Sequence, residues 1–347
     1  MRAPTTPTGP RIPVTGHDLP PVTTGDATPP AAVPAAGGQR ADRLFARIAA
    51  GAGGLVLAVM AAIGAFLIWK ALPAFSGNSG NLILTQQWLP QASPPLFGIA
   101  AIAFGTLVTS LIASLIAVPV SIGVAMFIAH YAPRRLAVVL GGITDLLAAV
   151  PSLVFGMWGL YFLIPNTRGF QAWLSEYLGW IPLFRNTLPG VTTAQFGQSL
   201  LMAGIVLAIM IIPTISAITR EVFRQVPDEL MDAARALGAT RWEVMRTAVL
   251  PFGRPGVISA AMLGLGRALG ETIAVALVLN SGFAINWHLT EPGGDTLAST
   301  IALKFGEATS SAKGIPALVF AGLCLFAITL LVNSAARLIV ARRKEFR

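Results

Sequence analysis

Charged residues are scarce in this chain: Asp, Glu, Lys and Arg together make up only 11% of its 347 residues. Its single cysteine, Cys324, lies in an apolar run, so no intrachain disulfide can form. The three histidines, His17, His130 and His288, show no metal-ligand spacing, and no G-x-x-x-x-G-K-[ST] motif occurs. We therefore expect this chain to bind no cofactor of its own, neither a metal nor a nucleotide held by a P-loop.

Apolar residues are abundant instead. The hydrophobic fraction is 54% and the mean hydropathy is +0.71, values typical of an integral membrane protein. A net charge of +9 would also suit a nucleic-acid binder, but the basic residues stand at the ends of apolar runs, as topology signals do. We predict an all-α integral membrane protein with no nucleic-acid partner.

Six apolar runs are each long enough to cross a bilayer, which takes about 20 residues. Pro119 and Pro151 lie inside the second and third runs. We expect Pro151 to kink its helix, and Pro119 either to kink its helix or to end the regular part. Segments 72–97, 166–195 and 280–314 are predicted to be external loops. The predicted spans are about 48–69, 98–130, 137–164, 196–218, 256–279 and 315–340, within a transmembrane domain of residues 44–347.

Basic residues predict the orientation. They are concentrated before the first run, at Arg134–Arg135, in the loop 226–255 and after the sixth run. The positive-inside rule therefore places both termini and this loop in the cytoplasm. Segment 1–43, rich in Pro, Thr and Ala, is predicted to be a disordered cytoplasmic tail, and it lacks the apolar core of a signal peptide.

The loop 226–255 is predicted to form two short helices. Pro227 suits the first helical position, and Asp228 and Glu229 place negative charge at the positive end of the helix dipole. Gly238 should end this helix in the left-handed conformation. One narrow apolar face is expected at Leu230, Ala233, Ala234 and Leu237.

A second helix should follow at once, because Thr240 and Glu243 have the spacing of a capping box. We expect Pro251 to end it. A DNA-binding helix-turn-helix can imitate this pattern, but the charges here are mixed and the unit is a short loop between membrane spans. An amphipathic loop with no partner is a further alternative.

The order Asp232-Ala233-Ala234, Gly238 and Ala248-Val249-Leu250-Pro251 resembles the "EAA" loop of ABC-importer permeases. That pattern runs Glu-Ala-Ala, Gly, then Ile-x-Leu-Pro at the same spacings, so Asp232 and Ala248 are mild departures. The resemblance implies that this segment is the coupling helix that docks on a cytoplasmic ATPase. It assigns the coupling role to Asp232, Ala233, Ala234, Gly238, Leu250 and Pro251.

Span five carries two charges, Arg267 and Glu271, which on one helix would lie about 6 Å apart along the axis. A charge at mid-membrane costs on the order of 2.5–3.5 kcal/mol, so we expect both to face a water-lined path or a subunit interface. An Arg fork fits a tetrahedral oxyanion, and a nearby carboxylate can accept a proton from phosphate but not from sulfate. A purely structural intrahelical ion pair is the alternative, although Arg before Glu is the poorer order.

Two further features concern helix contacts inside the membrane. Gly264, Gly266 and Gly270 are expected to let a neighbouring helix approach span five closely. Asp145 lies near the cytoplasmic end of span three, where it could reach the interface or a neighbouring helix. We predict a structural role for this carboxylate.

Residues 264–272 (GLGRALGET) and 147–160 (LAAVPSLVFGMWGL) are similar to the phosphate-importer permeases, and the second stretch more to the C-type than to the A-type subunit. The resemblance implies a type I (MetI-like) permease core of six transmembrane helices in a bacterial cell membrane. It also implies a sister permease of the A-type, two ATPase subunits that hold ATP and Mg, and an external phosphate-binding protein. The chain itself would perform no covalent chemistry.

Three other functions remain open from the sequence. The first is import of another oxyanion, such as sulfate or molybdate. The second is a secondary anion transporter coupled to protons through Arg267 and Glu271. The third is a membrane anchor that recruits an ATPase without transporting.

Overall fold

The structure, a computed structural model, describes residues 38–76, 78–187, 193 and 196–342. Most of the predicted tail lies outside them, but residues 38–43 are helical, contrary to the prediction, because helix α1 spans Gly38–Phe75. The chain divides after Met60 into two compact parts, and each is described by itself. In the first part every side chain from Asp42 to Met60 is exposed, as suits an apolar helix in lipid. The second part contains the end of α1 and all other elements.

Membrane spans follow the predicted number. Among the described residues, five helices are long and apolar enough to cross a membrane, and a bent pair makes a sixth span if it is counted as one. The helices are Asp42–Phe75, Ala100–Tyr131, Leu200–Arg224, Arg241–Leu269 and Gly314–Leu338, and the bent pair is Arg134–Ala149 with Ser152–Tyr177.

The second span is regular past its proline. Helix α2 runs through Pro119 from Ala100 to Met126, and one π-helical turn, Phe127–Tyr131, completes it. Of the two alternatives predicted for Pro119, the end of the regular part is therefore wrong.

The third span is broken rather than kinked. Helix α3, Arg134–Ala149, meets the helical stretch Ser152–Tyr177 at an angle of 93°. That stretch begins with helix α4, Ser152–Trp158. Proline has no N–H to donate and disfavours the helical conformation in the residue before it. Accordingly Val150, with ψ 132°, is extended.

Helical structure then continues further than predicted. A π-helical turn, Gly159–Leu163, leads into helix α5, Ile164–Tyr177. Residues 166–177, predicted as part of an external loop, are thus helical. Pro165 lies in the first turn of α5, directly after this π-helical turn.

Helix α6, Leu200–Arg224, is at the centre of the second part and extends six residues beyond its predicted end at Ile218. It packs against α2, α3 and the helix of span five. Ser199 caps it by accepting a hydrogen bond from the Met202 N–H at 3.4 Å. Its buried side chains, among them Met202, Leu207, Ile211 and Ile215, form much of the main apolar core.

Span five differs most from the prediction. It begins inside the loop 226–255 and breaks before its predicted end, because residues 270–272 are not helical. The elements in order are α7 (Asp228–Ala236), α8 (Arg241–Val244), a π-helical turn (Met245–Val249), α9 (Leu250–Leu269) and α10 (Ile273–Val278).

The predicted external loops contain regular structure. Strands β1, Trp88–Leu89, and β2, Leu96–Phe97, form a small antiparallel hairpin within 72–97. Helix α11, Leu297–Ala308, lies within 280–314 and packs against α2 and the last helix, α12, Gly314–Arg342. The Leu297 N–H donates to the buried Thr106 hydroxyl of α2 at 2.9 Å. The segment 280–314 is therefore not a simple loop.

Candidate functional site: the 226–255 segment and span five

The turn after α7 has the conformation that the sequence predicts. Gly238 has φ +83°, in the left-handed region, and its N–H donates to the Arg235 carbonyl at 2.9 Å. No atom lies within 4 Å of the position a Cβ would take, so the glycine is required by its backbone angle and not by crowding. Pro227 is one position earlier than predicted, as the N-cap residue, and Asp228 is the first helical residue.

Much of the predicted apolar face of α7 is open. Leu237 is 90% exposed and Leu230 is 46% exposed. Met231, one residue from Leu230, is buried in a cluster with Phe223 and Val226 and so anchors the helix to the membrane part. Asp232 and Ala233 are exposed, Ala234 is half-buried, and Asp232 pairs with Arg235 at 2.7 Å.

The second helix of the segment starts as predicted. The Thr240 N–H donates to the Glu243 carboxylate at 2.7 Å, and the Glu243 N–H donates to the Thr240 hydroxyl at 3.3 Å, which completes a capping box. Trp242 beside it is 58% exposed.

Pro251 does not end this helix, contrary to the prediction. It lies in the first turn of α9, and the π-helical turn Met245–Val249 joins α8 to α9 without a break. Leu250 is half-buried against the Met231 cluster. The predicted coupling residues are thus divided between the exposed helix α7 and the start of a long helix, Arg241–Leu269.

Arg267 lies near the far end of that same helix. Its Nη1 donates to the Thr214 hydroxyl of α6 at 2.9 Å. The close approach of α9 to α6 depends on Gly264, because a Cβ there would lie 2.5 Å from Ile215 Cδ1. This confirms the predicted packing role of Gly264. Among the described residues, no neighbouring helix lies within 4 Å of the position that a Cβ would take at Gly266 or Gly270.

Arg267 lines a cavity of about 810 Å³ between α9 and α12. Gly266 lies beside it in the wall, and Thr214 contributes from α6. The cavity combines an apolar wall with hydroxyl, amide and guanidinium groups, the combination typical of small-ligand sites. Its other lining residues are Ile258, Ser259, Met262, Leu263, Asn333, Ala336 and Arg337.

Glu271 is not on the helix of Arg267, so the predicted spacing of one helical turn does not hold. Gly270 terminates α9, and Glu271 lies in the break before α10. Its Oε1 accepts a hydrogen bond from the Ala274 N–H at 3.3 Å, in the manner of a helix cap. Among the described side chains, the two charges do not form an ion pair.

Asp145 has the structural contact predicted for it. Both of its carboxylate oxygens accept hydrogen bonds from Arg220 Nη2, at 3.0 and 3.1 Å, and Nη1 donates to Thr144 at 3.2 Å. Arg220 is only 8% exposed. Gly141 leaves room for it, since a Cβ there would lie 2.6 Å from Nη1. Sequence reasoning missed Arg220 because it follows the predicted end of span four.

The sequence analysis also missed a buried carboxylate in the segment before α11. Glu291, 4% exposed, accepts hydrogen bonds from the Thr187 N–H at 2.5 Å, from the Thr187 hydroxyl at 2.8 Å and from the Asn286 amide. Burial alone would raise the pKa of Glu291, but these hydrogen bonds and the nearby His288 outweigh it and hold the pKa below its ordinary value. The side chain therefore fixes the segment before α11.

These features define a class of protein: a multi-pass helical membrane protein in which an exposed turn leads directly into a membrane span that carries a charge. The comparisons give the family. Residues 121–345 match the model of the binding-protein-dependent transport system inner membrane component, and the chain belongs to that family. It is a membrane permease of an ABC importer and not an enzyme, and ATP is hydrolysed by a partner ATPase.

Individual relatives agree with this assignment. The chain is 43% identical over 305 residues to "Phosphate transport system permease protein PstC 2" of Mycobacterium tuberculosis, covering 87% of this chain and 92% of the relative. It is 43% identical over 318 residues to "Phosphate transport system permease protein PstC" of Mycobacterium leprae, covering 90% and 98%. Among solved structures it is similar to the MetNI methionine ABC transporter, with TM-score 0.46, 20% identity and coverage of 69% and 90%. The family assignment rests on the sequence matches alone.

Proposed function

We propose that this chain is a permease subunit of an ATP-driven phosphate importer. Relatives that are 43% identical over most of both chains carry the name of phosphate permeases, which supports phosphate as the solute. Its partners would be a sister permease of the A-type, two ATPase subunits holding ATP and Mg, and an external phosphate-binding protein. Both termini and the 226–255 segment would face the cytoplasm of a bacterial cell, in accordance with the positive-inside rule.

The continuous helix Arg241–Leu269 is the observation that carries the proposal. Arg241 follows the exposed turn at Gly238, and Arg267 lines the cavity 26 residues later, about 39 Å along an ideal helix axis. A displacement applied to the turn by an ATPase would therefore reach the guanidinium along one continuous helix. The π-helical turn within it is of the kind found often at functional sites.

The predicted coupling residues keep their roles under this proposal, in two groups. Asp232, Ala233, Ala234 and Gly238 would contact the ATPase directly, together with the exposed Leu237. Leu250 and Pro251 would transmit the movement, because they lie at the start of α9 and not on the exposed helix.

Arg267 would bind the oxyanion on the translocation path. A guanidinium donates two parallel hydrogen bonds to a tetrahedral anion, and Thr214 holds this one in the cavity wall. Glu271 would act from the break between α9 and α10, where it caps α10 and can move when the break changes its conformation. Its role as a proton acceptor from phosphate stays a prediction.

Uptake of radiolabelled phosphate by a deletion strain expressing the variants tests the proposal. We expect Arg267→Ala to reduce uptake by about 100-fold, the effect of losing about 3 kcal/mol of charge-assisted hydrogen bonding in the rate-limiting barrier. The complex should still assemble, and Arg134→Gln, which removes an exposed arginine at the start of α3, should transport normally.

Three outcomes would overturn it. Normal phosphate uptake by Arg267→Ala would show that the guanidinium is not part of the translocation path. Uptake of sulfate or molybdate that exceeds phosphate would assign another oxyanion. Uptake that an uncoupler abolishes, but that survives a hydrolysis-dead ATPase, would indicate a secondary transporter.

A further inference from the structure

The cavity beside Arg267 contains a second arginine from a different helix. One wall is α9, from Ile258 to Arg267, and the facing wall is the last part of α12, with Asn333 and Arg337. Asn333 and Arg337 are four residues apart and so lie on one face of α12, about 6 Å apart along the axis. No carboxylate is among the lining residues.

Neither arginine has a counter-ion among the described side chains. Arg267 donates to the neutral Thr214 hydroxyl, and Arg337 makes no hydrogen bond or ion pair with any described residue. Arg267 is half-buried and Arg337 is exposed, and no carboxylate in the cavity wall offsets their two like charges. The half-buried guanidinium of Arg267 in particular lacks the compensation that a charge partly removed from water requires. A bound anion supplies that compensation, because both forks present parallel N–H donors.

The two arginines lie at different depths. Arg337 is five residues before the end of α12, about 8 Å along its axis, whereas Arg267 is 17 residues from the start of α9, about 25 Å. The end of α12 and the start of α9 are on the side that the basic residues assign to the cytoplasm. Arg337 is therefore nearer that side than Arg267.

We propose that Arg337 and Asn333 form a second anion-binding position in this cavity, which receives the tetrahedral oxyanion from Arg267 and releases it toward the cytoplasm. The Asn333 side chain offers an N–H donor and a carbonyl oxygen acceptor beside the guanidinium, so its oxygen can accept a hydrogen bond from an anion that still carries a proton. The cavity volume of about 810 Å³ leaves room for an anion to pass between the two positions. This inference rests on the proposed function.

Charge removal gives the first test, in the assembled transporter reconstituted in liposomes with its binding protein. Arg337→Gln should lower the maximal rate of phosphate uptake at least tenfold and leave KM within about twofold, because an inner position acts after delivery of the solute. Arg337→Lys should retain most of the rate, since it keeps the positive charge. The exposed Arg134→Gln serves as the matched control for loss of one arginine.

Chemical rescue gives the second test and does not depend on the folding of a single variant. The one native thiol allows Arg337→Cys to be made in a Cys324→Ser background. A cationic methanethiosulfonate reagent should restore uptake severalfold at position 337, whereas an anionic reagent should not. Phosphate should slow the reaction of the reagent with the thiol at position 337 at least threefold. It should not slow the same reaction in Leu338→Cys, because Leu338 is a 60% exposed neighbour that does not line the cavity.

The outcomes separate this inference from the proposed function. If the unmodified transporter imports phosphate but Arg337→Gln is as fast, or the thiol at position 337 reacts equally with and without phosphate, the second position is refuted and the importer stands. If the unmodified transporter imports no phosphate, the proposed function itself fails.

Discussion

The contact between Arg220 and Asp145 makes a quantitative prediction about stability. Removing Asp145 leaves a guanidinium whose side chain is only 10% exposed without its charged partner. Breaking a fully buried pair costs about 3–5 kcal/mol, and an exposed pair contributes about 0–1 kcal/mol. Because the Asp145 side chain is 56% exposed, we expect an intermediate loss of about 2 kcal/mol for Asp145→Ala.

The conservative variant should be milder. Asp145→Asn keeps one side-chain oxygen that can accept from Arg220 Nη2, so about half of the loss should remain. Equilibrium unfolding of the purified protein in mixed detergent micelles, followed by circular dichroism, measures both values.

The double variant gives the sharper result. Arg220→Met removes the buried charge and replaces its stem with an apolar side chain of similar length. Asp145→Ala combined with Arg220→Met should therefore be more stable than Asp145→Ala alone, with a coupling energy of about 1–2 kcal/mol in the cycle. A double variant less stable than Asp145→Ala, or an Asp145→Ala protein as stable as the parent, would refute this electrostatic account.

Three further predictions concern packing, coupling and pH. Gly264→Leu should force α9 away from α6 and reduce the yield of folded protein on size-exclusion chromatography, because even a Cβ would lie 2.5 Å from Ile215. Gly238→Asn, which tolerates the left-handed conformation, should keep the ATPase bound during co-purification, whereas Gly238→Pro should lose it; equal retention by both would count against docking at this turn. Because the folded-state pKa of Glu291 is lowered, its stabilisation is present above its ordinary value of 4.5 and is lost as the pH falls through the folded-state value. Limited proteolysis of the 280–296 segment should increase over that acidic range, and Glu291→Gln should lose most of this pH dependence.

Local signals in the sequence predict the number of spans and the turn at Gly238. Apolar runs indicate membrane helices because a bilayer satisfies no backbone polar group outside a helix. Gly238 and the pair Thr240 and Glu243 are short-range signals, since each acts on backbone within three residues of itself. These features agree with the structure.

Proline and glycine inside the long apolar runs were harder to interpret. The sequence around Pro251 is equally compatible with the end of one helix and with the first turn of the next. The structure shows the second arrangement, because a π-helical turn before Pro251 joins the two helices. The apolar run predicts that Gly270 lies within a helix, with Glu271 on the face of Arg267, whereas Gly270 terminates α9.

Arginines near the ends of apolar runs were missed for a different reason. Arg220 and Arg337 both lie close to the end of a run, where basic residues are read as topology signals. One is buried against Asp145 and the other lines the cavity. The residues around them are distant in sequence, so only the packed structure distinguishes these two arginines from basic residues that merely flank a membrane span.

The two broken spans meet each other, and this explains how irregular backbone is tolerated within the membrane. Helix α4 follows the break at Val150–Pro151, helix α10 follows the break at residues 270–272, and the two helices pack together. They approach closely, since a Cβ at Gly156 would lie 2.7 Å from Ala274 Cα. Non-helical backbone at membrane depth must be covered by protein or line a cavity, and each short helix provides cover for the other. Helix α10 packs against α4, whereas α9 continues directly from the exposed turn. We therefore infer that, when α9 moves relative to α10, the backbone changes conformation at the break that contains Glu271.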